Sequence, residues 1–176
     1  MIEKHYWKIK QAALNIDLCV VSKHHSIEEI QSYYDAGERI FAENRTAELV
    51  SKAAVLPKDI AWQYIGHLQR NKVKDILPVV SCIQSLDNIA LAKVIEKEAT
   101  KRNRKVNVLI ELHLADEDTN KSGVDPADVE VFTNFLLQEC PHIMIQGLMT
   151  MGPHTNDEAR IHEVFTKAQD IFLHLQ

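Results

Sequence analysis

Residues 79–114 read VVSCIQSLDNIALAKVIEKEATKRNRKVNVLIELHL and contain one complete strand–helix–strand unit. Val79 to Gln84 is a short, largely apolar run of the kind that forms a buried strand. Asp87 then opens a helix in which Leu91, Val94, Ile95 and Ala99 share one face. Val106 to Leu114 is a second, longer strand. Strands joined by a helical crossover run parallel, because the helix carries the chain back to the starting edge.

The alternation continues on both sides of this unit. Towards the N-terminus, a short helix precedes a compact apolar strand, Asp17 to Ser22. Ser26 and Glu29 have capping-box spacing; Ile30, Tyr33 and Tyr34 make the stripe of the next helix, which Gly37 ends. Arg39 to Ala42 is the second strand, and a helix follows over about Arg45–Ala54. Ala61 to Ile65 is the third strand; a brief helix from Asn71 to Leu77 is stopped by Pro78.

Towards the C-terminus, Asp125-Pro126 predicts a helix start, with Val129, Phe132 and Leu136 on its inner side. Ile143 to Met149 is the sixth strand. Asn156 is the expected cap of a last helix with Ile161, Val164, Phe165, Ala168 and Phe172 facing inward. Six consecutive β/α units fit two α/β architectures, an open doubly wound sheet or an incomplete (β/α)8 barrel of the TIM type. No G-x-G-x-x-G follows the first strand, which weakens the dinucleotide-binding version of the open sheet.

Composition narrows the functional classes. At 176 residues, with no low-complexity tract, the chain reads as a single domain over 1–176. No apolar run approaches the roughly 20 residues of a membrane-spanning helix, so no membrane association is expected. Cys19, Cys82 and Cys140 are widely spaced and odd in number; they read as free thiols of a reducing compartment, which points to the cytoplasm. The formal net charge is −5, and the one basic cluster, Lys101 to Lys105, falls where a helix ends. Cations there complement the helix dipole, so nucleic acid is not an expected partner.

Unusual polar residues gather at the strand C-terminal ends: Ser22-Lys23-His24-His25, Glu43-Asn44-Arg45, Gly66 to Lys72, Gln84-Ser85, Glu111-Leu112-His113 and Met149-Thr150-Met151. In a parallel barrel these ends share the face on which such folds carry their chemistry. Lys23 stands out, because a lysine after a buried strand can present its amine near the barrel axis. A partly desolvated amine loses part of its proton affinity and condenses with a carbonyl compound. The plainer alternative is a lysine that extends to solvent, and spacing does not separate the two. A metal-dependent hydrolase using His24, His25, His67, His113 and His154 is a further reading. It lacks any His-x-His or His-x-x-x-His pair.

These residues resemble those of the pyridoxal phosphate homeostasis proteins. Val21-Ser22-Lys23 is similar to the family's Schiff-base lysine segment, and Asp35-Ala36-Gly37 with Phe41-Ala42-Glu43-Asn44 to its D-A-G…F-G-E-N. Trp62 to Lys72, WQYIGHLQRNK, resembles the distinctive W-x-x-I-G-x-L-Q-x-N-K. Ser85-Leu86-Asp87, Val108 to Glu111, Lys121-Ser122-Gly123 and Gly147 to Thr150 follow in the family's order. The resemblance implies a fold-type III barrel like the N-terminal domain of alanine racemase. It also implies pyridoxal 5′-phosphate held on Lys23 as an internal aldimine, with Asn44, His67 and Met149 beside it. The role implied is cofactor homeostasis and delivery without catalytic turnover, with PLP-dependent apoenzymes as recipients; oligomeric state is left open.

Three departures matter. Ala42 stands where the family usually has glycine, with an expected small shift of Asn44, and His113 stands where it often has asparagine. The S-M-G-M-S-like and R-x-G-x-x-[IL]-F-G-like segments that supply phosphate-binding groups in the family are absent. A truncated or fragmentary barrel with weakened cofactor binding is therefore expected. A racemase-like enzyme of the same fold is the alternative function, and it requires a second acid–base group opposite Lys23.

Overall fold

The computed structural model describes residues 4–13, 15–115 and 122–176. Its elements are α1 (Lys4–Ala12), β1 (Val20–Val21), α2 (Ile27–Asp35), β2 (Ile40–Glu43), α3 (Thr46–Val55) and β3 (Ala61–Tyr64). A 3-10 turn (Arg70–Lys72) leads into α4 (Val73–Ile76). Then follow β4 (Val80–Leu86), α5 (Ile89–Lys101), β5 (Val106–Glu111), α6 (Val129–Glu139), β6 (Ile143–Met149) and α7 (Glu158–His174).

The six strands form one parallel sheet in sequence order, β1 to β6, as expected from the crossover helices. Phe41, Trp62, Tyr64, Ile83, Val108 and Ile110 bury one face of this sheet under the helices, joined by Ile30, Leu49, Leu91, Ile95, Phe132 and Leu136. Burying each such side chain contributes roughly 1.5–3 kcal/mol. The opposite face, the interior of a barrel, begins with Val21, Ala42 and Gln63, which lie in register.

Several boundaries differ from the sequence expectations, for local reasons. The Asp17–Ser22 strand shortens to Val20–Val21, although the Ser22 N–H still reaches the Ala42 carbonyl at 2.9 Å. The predicted fifth strand ends at Glu111, and Leu112 makes an isolated bridge to Val124 instead. Asn88, not Asp87, caps α5, accepting the Leu91 N–H at 2.8 Å. The helix predicted from Asp125-Pro126 starts at Val129, because the Asp125 carboxylate accepts the Ala127 N–H in a local turn. Asp157, not Asn156, caps α7 by accepting from Ala159 and Arg160.

In α7 only Val164 is buried, while Phe165 and Phe172 are 49% and 39% exposed. This helix packs on β6, an edge strand, through Val164 with Ala168 and Ile171 beside it, and leaves Phe165 and Phe172 partly exposed. Ala42 is fully buried within β2, one residue before the strand ends at Glu43. The basic cluster is engaged locally: Lys101 and Arg102 pair with Glu98 at 2.5 and 2.6 Å, and Arg104 donates to the Leu77 and Val80 carbonyls. Among the described residues no helix is long and apolar enough to cross a membrane.

Candidate functional site

The strand register determines which side chains share the interior face. Towards the helices, Phe41 and Trp62 meet with ring centroids 6.1 Å apart and planes tilted by 47°, and Glu43 meets Lys52 of α3 on that same side. The alternating residues therefore point the other way. Gln63 and Gln84 confirm it, their side chains bonding at 3.1 Å on the interior face. Farther along the sheet, Glu111 and Met149 lie in register at the ends of β5 and β6.

Lys23 follows Val21 by two positions, and Asn44 follows Ala42 by two, so the Val21–Ala42 pair sends both residues off adjacent strand ends. Lys23 is exposed, and its amine has no hydrogen bond or ion pair among the described residues. Asn44 is partly buried, and its Oδ1 is fully buried without a partner among the described residues. A buried, unpaired amide oxygen is costly unless a further group meets it.

Gly66 explains the glycine in the I-G-H-L-Q run. A Cβ there would lie 2.2 Å from the Asn44 carbonyl oxygen, so the β3 loop rests directly on the Asn44 backbone. The Tyr64 hydroxyl steadies the same carbonyl from 3.3 Å. His67, the next residue, is exposed, with Nδ1 3.7 Å from Asp87 Oδ2. Asp87, passed over as a helix cap, accepts from the Asn88 side chain at 2.6 Å and presents its carboxylate to His67.

Glu111 is buried and accepts the Ser122 hydroxyl at 3.1 Å. Burial pushes its carboxyl pKa up and Asp87 adds to this, while Ser122, His67 and His113 oppose it. The Ser122-Gly123 segment is held close by the Val124 N–H, which reaches the Glu111 carbonyl at 2.7 Å. A Cβ on Gly123, at φ +106°, would lie 2.6 Å from the His113 nitrogen, so glycine is needed there. Lys121 lies outside the described residues.

Lys23, Asn44 and His67 thus leave three neighbouring strands, whereas Met149 sits on β6 at the other edge, beside Glu111. On the helix side of β1 a separate cavity of about 280 Å³ lies between α1, α2 and β1, with Ser22 and His25 but not Lys23 in its wall. No group of three or more His, Cys, Asp or Glu among the described residues is arranged to hold a metal ion. The sequence reading missed a buried ionic group beneath Lys23, formed by Ser22, Glu43, Glu48 and Lys52. Two signals for it were available, a glutamate closing an apolar strand and a Glu48–Lys52 pair at i, i+4.

A parallel β/α sheet with its six strands in sequence order defines the fold class, and the comparisons agree. The family model described as "Alanine racemase, N-terminal domain" matches residues 1–176. The pyridoxal phosphate homeostasis protein of Helicobacter pylori is 34% identical over 159 residues, covering 89% of this chain and 71% of the relative. The protein of that name from Aquifex aeolicus is 36% identical over 150 residues, covering 85% of this chain and 65% of the relative. The chain belongs to the pyridoxal phosphate homeostasis proteins, within the alanine racemase N-terminal-domain family.

Among solved structures, PipY of Synechococcus elongatus without PLP superposes with a TM-score of 0.92 at 31% identity, over 100% of this chain and 82% of PipY. PipY with PLP bound gives 0.84 at 29% identity, over 97% of this chain and 81% of PipY. An alanine racemase of Clostridium difficile, at 16% identity and a TM-score of 0.75, shares the fold.

Proposed function

We propose that this chain, as one barrel-type domain over 1–176, binds pyridoxal 5′-phosphate as a Schiff base on Lys23 and serves in holding and delivering the cofactor. The observation that carries this reading is that Lys23 and Asn44 leave adjacent strand ends, the first with an exposed amine and the second with a buried Oδ1, neither having a partner among the described residues. When bound, the cofactor supplies an aldehyde; condensation with the neutral amine forms a carbon–nitrogen double bond and releases water. Asn44 would hold a polar edge of the ring system. His67 would stand beside it from the β3 loop, and Met149 would offer an apolar, polarizable contact from β6.

Because Lys23 is exposed, water or another amine can reach the linkage and reverse it. Reversibility suits transfer to PLP-dependent apoenzymes, the proposed recipients, and we assign no catalytic turnover. Three free cysteines support a reducing, cytoplasmic setting. A racemase-like activity is favoured by one observation, the buried Glu111 carboxyl on the interior face. Amino-acid racemization in the presence of added cofactor tests it, and loss of any such activity in Glu111→Gln would assign it.

The decisive experiment for binding is a PLP titration followed by borohydride reduction and peptide mapping. A saturable adduct confined to the peptide containing Lys23, absent in a folded Lys23→Ala, is the expected result. Adducts scattered over several lysines of a folded chain would overturn the proposal.

A further inference from the structure

The peptide groups on both sides of Lys23 are met by one ionic cluster on α3 and β2, buried at Lys52 and Glu43 and partly exposed at Glu48. Lys52, on α3 and 7% exposed, donates to the Ser22 carbonyl at 2.8 Å and to Glu43 Oε1 at 2.7 Å. Its third contact, Glu48 Oε2 at 3.3 Å, in turn accepts the His24 N–H at 3.3 Å. The Ser22 hydroxyl closes the set by donating to Glu43 Oε1 at 2.7 Å. Ser22 before Lys23 and His24 after it are therefore tied to the same three charges.

His24 also has φ +66°, the left-handed region, uncommon for a non-glycine residue although histidine enters it more readily than most. Glu48 is the group that meets its N–H there, and Lys23 is the residue whose direction this turn sets. The Lys52–Glu43 pair is deeply buried, and such a pair is weak evidence of stabilisation in itself, because desolvation offsets the attraction; Glu48 stands at the rim of the cluster, 26% exposed. The cluster's geometry accounts for it better as an orienting device.

Resting on Lys23 as the cofactor-binding residue, we propose that Lys52 and Glu48 are positioning residues that hold the Lys23 backbone so that its amine leaves the strand towards the interior face. Neither side chain needs to touch the cofactor. Both act through the two peptide groups flanking Lys23.

Glu48→Gln is the informative variant, because it keeps the buried Lys52–Glu43 pair and removes the charge that accepts from His24. Amide exchange of His24 is measured without cofactor, and the rate of PLP adduct formation at Lys23 is measured by borohydride trapping. The expected result is faster His24 exchange, by up to about tenfold, since the glutamine oxygen can still accept but without the charge. Adduct formation at Lys23 slows while labelling of other surface lysines is unchanged. Lys52→Arg, which keeps the charge, is expected to retain more of both properties than Lys52→Met.

Unchanged His24 exchange and unchanged Lys23 trapping in a folded Glu48→Gln would overturn the inference. If wild-type Lys23 forms no adduct, the cofactor reading fails and the positioning role falls with it. Faster exchange with unchanged trapping reduces the cluster to a structural role and also overturns the proposal.

Discussion

The Asn44 carbonyl oxygen lies where a methyl group on Gly66 would come within 2.2 Å of it, so the β2 and β3 loop backbones touch with no side chain between them. Both loops carry residues of the candidate site, Asn44 itself and His67 next to Gly66. Gly66→Ala must push one of them aside. The expected cost is about 1–3 kcal/mol of stability, in the range of overpacking a close contact. Urea denaturation alongside a cofactor titration checks it; a variant with wild-type stability and wild-type affinity would show that the contact is unimportant.

Glu111 gives a pH dependence with a definite sign. Burial raises its carboxyl pKa, Asp87 reinforces this, and Ser122, His67 and His113 act against it. The folded state thus holds the proton more tightly than the unfolded chain, where a glutamate titrates at about 4.3. Its contribution to stability is fully present below that value and is lost as pH rises through the higher folded value. Glu111→Gln removes this loss, so the variant gains on wild type as pH rises above the unfolded value. Denaturation curves across that range decide the matter, and parallel pH profiles for the two proteins would refute it.

Cys19 and Cys82 should be slow to alkylate. Burial pushes both thiols from 9.0 up to about 11, and Cys19 contributes to the rise at Cys82. At neutral pH that leaves about a hundredfold less thiolate than in an unperturbed thiol. Iodoacetamide labelling of the native protein is expected to be slower by about that factor than labelling in urea. Equal rates in both states would contradict the burial.

The start of α7 can be assigned by two substitutions. Asp157 accepts the Ala159 and Arg160 N–H groups at 3.0 and 3.3 Å, whereas Asn156 makes no such cap. Asp157→Ala should cost about 1 kcal/mol, and Asn156→Ala only a few tenths. The reverse order in thermal denaturation would place the cap one residue earlier.

Much of the fold was legible in the residues. The Ser26–Glu29 capping box, the stripes of α2 and α5 and the full extent of β6 all appear as read. These are local features: a cap needs residues three apart, and an amphipathic face needs only its own period. Placing Lys23 and Asn44 at neighbouring strand ends also followed, because parallel pairing carries every strand end to one side. The choice between Asp87 and Asn88 as the α5 cap did not follow, since either residue can cap. In the structure Asn88 takes the cap while the Asp87 carboxylate lies 3.7 Å from His67.

Sequence alone therefore determined the order of strands and helices, their parallel arrangement and the lysine at the end of β1, because local periodicity and chain connectivity suffice for each. Tertiary structure alone decided that Lys52 lies beneath Lys23, that Gly66 rests on Asn44 and that Glu111 is buried beside Ser122. It also decided that α7 leaves Phe165 exposed. Each of these depends on which distant segments meet and how closely, and their free energies come from desolvation and contact between residues that no spacing rule links.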